Sequence, residues 1–512
     1  MTLTASALAA VVLVALFSIF VGGMGSRLAR TTSDFFVASR SVGAGLNASA
    51  IGGEYLSAAS FLGVAGLVLT FGADMLWYPV GWTAGYLVLL VLVAAPLRRS
   101  GAYTLPDFAE ARLGSTWVRA ASSLLVVMIG WLYLIPQFQG AALVFGRFTP
   151  GMPWLPGLVV ALVVLTNVIV GGMRSITLAQ AFQYWLKLTA LLVPLIFLLL
   201  VWVGDGTPAP AASAAVGGVS GTEWVAPMAS ESAHPLYVTW SIVLATFLGT
   251  MGLPHVVVRF YTNPDGRAAR RTTLVVLALL GLFYLLPPIY GSLGRIYAPD
   301  LIAAGRADAV VLELPLRLIG GHLGQLLAAL MFGGAFAAFL STSSGLTVAV
   351  AGVLSQDLVS KRVHPIRAFR ISAVVAVAVP LLVALGLRDV SVAKSVGLAF
   401  AVAASTFAPL LILGIWWRGL TDIGALAGLL VGGWTSLAGV VNGLVGWQQS
   451  GWAGDLLGQP ALWTVPLAFL TMVVGSLLSR ARVPIGVNRI MVRLHTPEQV
   501  KLDRGQMPRP ID

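Results

Sequence analysis

The sequence predicts an all-α polytopic membrane protein. Of its 512 residues 58% are hydrophobic and 10% charged. Apolar runs of roughly 17–30 residues recur from end to end, each long enough for a bilayer core of about 30 Å. Lys and Arg cluster in alternate connections between those runs. A membrane β-barrel would instead alternate apolar and polar residues in segments of about ten, and these runs do not alternate.

Taken in order, the apolar runs predict 13 transmembrane helices, at about 4–24, 47–70, 74–96, 120–145, 154–171, 181–203, 235–258, 272–293, 323–356, 371–387, 391–416, 423–445 and 461–479. No charge occurs in the first 24 residues, so the positive n-region of a cleaved signal is missing and the first span is expected to be retained. With the connection after that span placed inside, 24 of the 31 Lys and Arg fall on the inner side and 5 on the outer, while Lys187 and Lys394 lie within spans. By the positive-inside rule the N-terminus is outside and the C-terminus cytoplasmic, in the cell membrane. The net charge of +12 therefore follows topology and implies no nucleic acid. Residues 1–480 form one transmembrane domain. The outer loop near 204–234, rich in Gly, Ala, Pro and Ser, reads as a flexible connection. The basic tail 481–512 reads as a solvated cytoplasmic end near anionic lipid heads.

Several classes are excluded. Without cysteine there are no disulfides or thiolate metal sites, and His234, His255, His322, His364 and His495 are too scattered for a metal enzyme. No GxxxxGK[ST] motif supports ATP drive. No soluble signalling domain follows the last span, which argues against a membrane sensor, and no soluble partner is implied. A transporter rather than an enzyme is expected, with no cofactor beyond a coupling ion.

Two spans are interrupted. In IGGEYLSAASFLG, residues 51–63, two glycines precede Glu54 at bilayer depth. Each Gly costs about 1 kcal/mol against Ala in a helix, and an intramembrane charge roughly 2.5–3.5 kcal/mol. Both penalties make sense where the backbone leaves the helix and faces protein or water. In FLGTMGLPHVVVRF, residues 247–260, Gly249, Gly252 and Pro254 interrupt the span five further on. Paired interruptions point to an inverted-repeat transporter with a midplane site, the repeats lying at about 47–203 and 235–416. A third element is AAFLSTSSGLTVAVAGVLSQDL, residues 337–358, dense in hydroxyls. Some of these would bond back to their own helix. Ala338, Ser341 and Thr342 nevertheless share one helical face. With two carbonyls from the unwound part of the second span they would offer five oxygens to a hard cation.

These residues resemble the sodium:solute symporter family over roughly 5–480. SDFFVASRSVGAGLNASAIGGEYLSAASFLG is similar to the family's signature leading into its first core helix, and GGMRSITLAQAFQ to the Gly-Gly segment before the fifth. GLPHVVVRFYTNPDGRAARR and VGLAFAVAASTFAPLLILGIWW resemble the acetate/monocarboxylate permease branch. The resemblance implies a leucine-transporter-like 5+5 inverted repeat with one preceding and two following helices. It also implies Na+ as coupling ion, held by Gly53, Leu56, Ala338, Ser341 and Thr342. Gln180 stands where many relatives carry an acid. The implied substrate is a short monocarboxylate such as acetate, propionate or pyruvate. Tyr55, Gly252, Gln137 and Gln139 are its candidate contacts, and Glu54 and Gln180 are candidates for coupling. Proton coupling, or another small solute such as an amino acid, is the alternative. His255 and Arg259 are expected at an inner gate or in a structural role, and Lys187 outside the site.

Overall fold

A computed structural model describes residues 3–26, 41–210, 219–226, 228, 232–359, 363–386, 392–445 and 451–500. Residues 33–40 of the first signature and the end of the tail lie outside these. The described residues are helical throughout, without a β-strand. Ten stretches are long and apolar enough to cross a membrane by length and composition. The sequence reading counts thirteen because Ala59–Ser100 and Leu155–Gly204 each take in two predicted spans, and because the first span appears as a shorter apolar helix, Ala5–Val21.

Helix α1 (Leu3–Ser26) lies against two long helices named below. The second span is split into α2 (Ala44–Tyr55) and, beyond a widened turn at Ala59–Gly63, α3 (Val64–Phe71). Then come α4 (Trp77–Val88), α5 (Ala94–Ser100), α6 (Leu105–Leu113) and α7 (Thr116–Phe145). Helix α8 covers Leu155–Gly204 with one kink, at Gly172, whose φ of 60° favours glycine. The sequence reading places a connection at 172–180. Only Gly172 leaves the helix, so Thr177 and Gln180 stand on helical backbone.

The seventh span is split as well, into α9 (Pro235–Gly252) and α10 (Pro254–Phe260). Helices α11 (Gly266–Tyr284), α12 (Leu286–Tyr297), α13 (Gly321–Leu354), α14 (Pro365–Gly386) and α15 (Val392–Trp416) follow. Helices α16 (Asp422–Val445) and α17 (Ala461–Leu478) pack on each other and on α15. Helix α8 touches α1, α2 and α13, while α9 sits between α4 and α15. Helix α13 is buried almost from end to end, which explains why it is apolar or hydroxylated on every side.

Two peripheral expectations change. The loop near 204–234 is anchored, because Trp224 is buried and its indole N–H donates to the Val68 carbonyl at 2.7 Å. The tail is not wholly solvated. Helix α18 (Val487–His495) buries Val487, Met491 and Leu494 and packs on α5, where Arg493 Nε donates to the Arg99 carbonyl at 3.1 Å. A basic stretch with apolar residues at i, i+4 and i+7 is an amphipathic helix that finds protein to cover one face.

Candidate functional site

The two breaks meet in the interior, although the first is not where the glycines stand. Gly52 and Gly53 are helical, and α2 ends at Tyr55, with Leu56 at φ −75°, ψ 82°. The glycines serve close approach instead. A Cβ on Gly53 would lie 2.0 Å from the Gln180 carbonyl oxygen, and one on Gly52 would meet the Tyr184 ring at 2.8 Å. In the partner break Leu253 is extended and Pro254 opens α10. Gly249 and Gly252 let α9 lie against the Phe400 and Ala403 carbonyls of α15.

Buried carbonyls at a helix end must find donors, and residues 52–57 can be followed one by one. The Leu56 amide donates to Gly52 O, the Ser57 amide to Tyr55 O and the Phe61 amide to Ser57 O. The Thr342 hydroxyl donates to Glu54 O at 2.6 Å. The two that remain, Gly53 O and Leu56 O, both accept from Lys187 Nζ, at 2.5 and 2.6 Å. Its third contact is Ser341 Oγ at 3.0 Å. Three acceptors thus meet the three N–H donors of an ammonium.

Of the five oxygens expected to hold sodium, Lys187 takes three. The other two are engaged locally, since Thr342 Oγ1 donates to Glu54 O and Ala338 O accepts from Ser341 Oγ at 3.2 Å. A second unit cation on the same oxygens would lie about 4 Å from Nζ and meet ~4 kcal/mol of repulsion at an effective dielectric of about 20. With Lys187 in place, these residues do not fit a sodium ion.

Beside this cage lies an ion pair. Arg259 Nε donates to Glu54 Oε2 at 2.6 Å, and both side chains are 2% exposed. Arg259 also donates to Thr177 Oγ1 at 2.8 Å and to Gln180 Oε1, and Gln180 Nε2 donates to the Ser341 carbonyl at 2.8 Å. Gln180 therefore bridges the ion pair to the hydroxyl helix. An acid there would put a second carboxylate beside Glu54. One carboxylate against two cations leaves this buried cluster with a single formal positive charge.

An aromatic wall stands next to the break. Tyr55 packs edge-on to Tyr86 at 4.9 Å between ring centroids, Trp82 and Tyr133 flank Phe400, and His255 lies 5.4 Å from Tyr133. The Tyr55 hydroxyl bonds Thr250 Oγ1 at 2.8 Å, just ahead of the second break. Tyr55 is thus a strut between the two broken helices. Among the described residues, the buried groups without a hydrogen-bond partner include Trp82 Nε1, the Tyr86 hydroxyl, both nitrogens of His255, and both amide atoms of Gln137. Trp82 and Tyr86 share one face of α4, and Tyr133 and Gln137 one face of α7. Gln139 is half-buried on another side of α7, and Gly252 is committed to helix packing.

The sequence reading placed Lys187 outside the site and Arg259 at an inner gate or in a structural role. The structure brings both to its centre. A signal for Lys187 existed, because Thr177, Gln180, Tyr184 and Lys187 follow one another at steps of three and four. That is one helical stripe, visible once 172–180 is read as helix. Nothing comparable marked Trp82 or Tyr86, whose surroundings read as ordinary core.

Two interrupted helices that meet at a buried polar centre are the architecture of a secondary transporter. The family model for the sodium:solute symporter family matches residues 35–432, and the chain belongs to that family. It is a multi-pass membrane transporter and not an enzyme. It is 30% identical over 474 residues to an uncharacterized symporter, YwcA, of Bacillus subtilis, covering 88% of this chain and 90% of the relative. It is 31% identical over 492 residues to a monocarboxylic acid transporter of Corynebacterium glutamicum, covering 89% and 88%. Among solved structures, a Na+-coupled sialic acid symporter in a substrate-bound outward-open state superposes with a TM-score of 0.70 at 14% identity, over 92% of this chain and 97% of that one. A nucleobase-cation-symport-1 family transporter superposes at 0.53 with 13% identity, over 91% and 99%. At such identities these structures bear on the fold alone.

Proposed function

We propose that the chain is a secondary active symporter that imports a short monocarboxylate across the cell membrane by alternating access about its two broken helices. The observation that carries this reading is the pairing of two environments at the breaks. One is an aromatic wall with a few unpartnered polar groups, suited to a small apolar tail and to fixing a carboxylate. The other is the Glu54–Arg259–Lys187 cluster, whose one excess positive charge attracts an anion in a medium of low dielectric. Tyr55, next to Glu54 in sequence, packs edge-on to Tyr86 at 4.9 Å, so the two environments adjoin. The similarity to a monocarboxylic acid transporter supports the same substrate class.

In this reading the Trp82 indole N–H and the Tyr86 hydroxyl donate to the carboxylate, and the Phe400 face covers its alkyl end. Tyr55 keeps the broken helices together while the substrate is enclosed. Family membership makes sodium the default coupling ion, to be tested against the proton in one assay. That assay is uptake of radiolabelled acetate, propionate and pyruvate into proteoliposomes holding the purified chain, under imposed Na+ or H+ gradients. Accumulation of at least one of them is expected. Tyr86→Phe, which removes one charge-assisted hydrogen bond, is expected to weaken apparent affinity by about 10- to 150-fold, from a typical 1.5–3 kcal/mol for such bonds. Uptake of proline or a sugar with none of a monocarboxylate would overturn the reading.

A further inference from the structure

We propose that the Lys187 ammonium is a tethered cation standing in place of the coupling sodium, so that this chain works its transport cycle without binding Na+ at the five-oxygen cage. The inference rests on the chain being a cation-coupled symporter; because Lys187 does not cross the membrane and supplies no driving force, it leaves the proton as the cation that powers accumulation.

Three observations support it. The break in α2 leaves two carbonyls, Gly53 O and Leu56 O, with no backbone donor, and Lys187 Nζ satisfies both. The same nitrogen reaches Ser341 Oγ on α13. One ammonium on α8 thus joins the broken helix to the hydroxyl helix, the join that a bare cation at these oxygens would make. Finally, a carboxylate lies close by: Glu54 follows Gly53, whose carbonyl accepts from Nζ, and is itself paired with Arg259. The charged groups near this nitrogen are Glu54 on α2 and, paired with it, Arg259 on α10, while α13 offers it the Ser341 hydroxyl.

The geometry also explains the departure at Gln180. With a fixed positive charge already in the cage, an acid at 180 is not needed to attract a free cation. An amide suits better, because its oxygen accepts from Arg259 while its nitrogen donates to the Ser341 carbonyl. Lys187→Ala should open the cage and give the protein a response to sodium that it otherwise lacks.

The test uses the full-length chain purified in detergent. Its thermal stability is measured in sodium chloride and in choline chloride at equal ionic strength, for wild type, Lys187→Ala and Lys187→Gln. Wild type is expected to show the same Tm in both salts. The variants are expected to gain stability in sodium only, and to lose that gain when Ser341→Ala is added. The proposal is overturned if sodium specifically stabilises wild type, or if folded variants stay blind to sodium. The wild-type comparison decides even if neither variant folds. In proteoliposomes, replacing sodium by choline should leave wild-type acetate uptake unchanged. Coupled ligands commonly change each other's affinity about 5–150-fold, so a loss of about tenfold would overturn it. No monocarboxylate uptake in any salt would count against the substrate reading alone, with the stability result still standing.

Discussion

Gly345 shows how much a single missing side chain can matter. A Cβ there would lie 1.9 Å from Glu54 Oε1, and Glu54 cannot swing aside because Arg259 holds it. Gly345→Ala is therefore expected to destabilise the protein by about 1–3 kcal/mol, the range for overpacking a filled interior, read as a lower Tm in detergent. An unchanged Tm would mean that the carboxylate has room the structure does not give it. At this scale the sequence was partly legible. Glu54 stood out because an intramembrane charge is costly, and the five cage oxygens followed from helical spacing and the family motifs. Arg259 and Lys187 were visible as charges, but their partners lie 205 and about 131–154 positions away in sequence. Only the packing of α2, α8, α10 and α13 brings them together.

For whole elements the lesson concerns what glycine does. Both interrupted spans were legible, yet the first break was read at the Gly pair and falls at Leu56 and Ser57. In a crowded bundle Gly52 and Gly53 are used for interhelical approach. The break itself is fixed by donors on other helices, which no local pattern announces. The charged end of the bundle offers a test of how elements are tied. Arg119 on α7 reaches Asp107 on α6 at 2.9 Å, Glu110 at 2.5 Å, and Asp357 just past α13 at 2.8 Å. One guanidinium thus clamps three carboxylates from two segments. Arg119→Ala leaves those charges to repel one another and should loosen this end. Since the chain has no cysteine, Ser57→Cys can serve as a single reporter. Its labelling by a soluble thiol reagent is expected to quicken several-fold in the Arg119→Ala background. Equal rates would show that the clamp does not restrict access.

Across the whole molecule, the architecture was legible from hydropathy and charge because the bilayer imposes both. Span length follows from its thickness and loop charge from its sidedness. The same constraint accounts for a shared fold with transporters at 13–14% identity. Less legible were the parts that depend on protein covering protein, such as the tail helix docked on α5 or Trp224 pinned under its loop. From the asymmetry of Lys and Arg we propose a cytoplasmic C-terminus. A reporter fused after residue 512 should be protected in intact cells and reachable only after permeabilisation, and labelling of intact cells would reverse the orientation.

Lys187 is part of the chain, and that has a consequence for the cell. A free metal ion taken in with each substrate must afterwards be pumped out, and it adds to the solute load until it is. A side-chain charge returns with the protein at the end of every turnover. If Lys187 takes that ion's place and the proton drives uptake, the proposed importer would run in a sodium-poor medium and leave no sodium behind with its substrate.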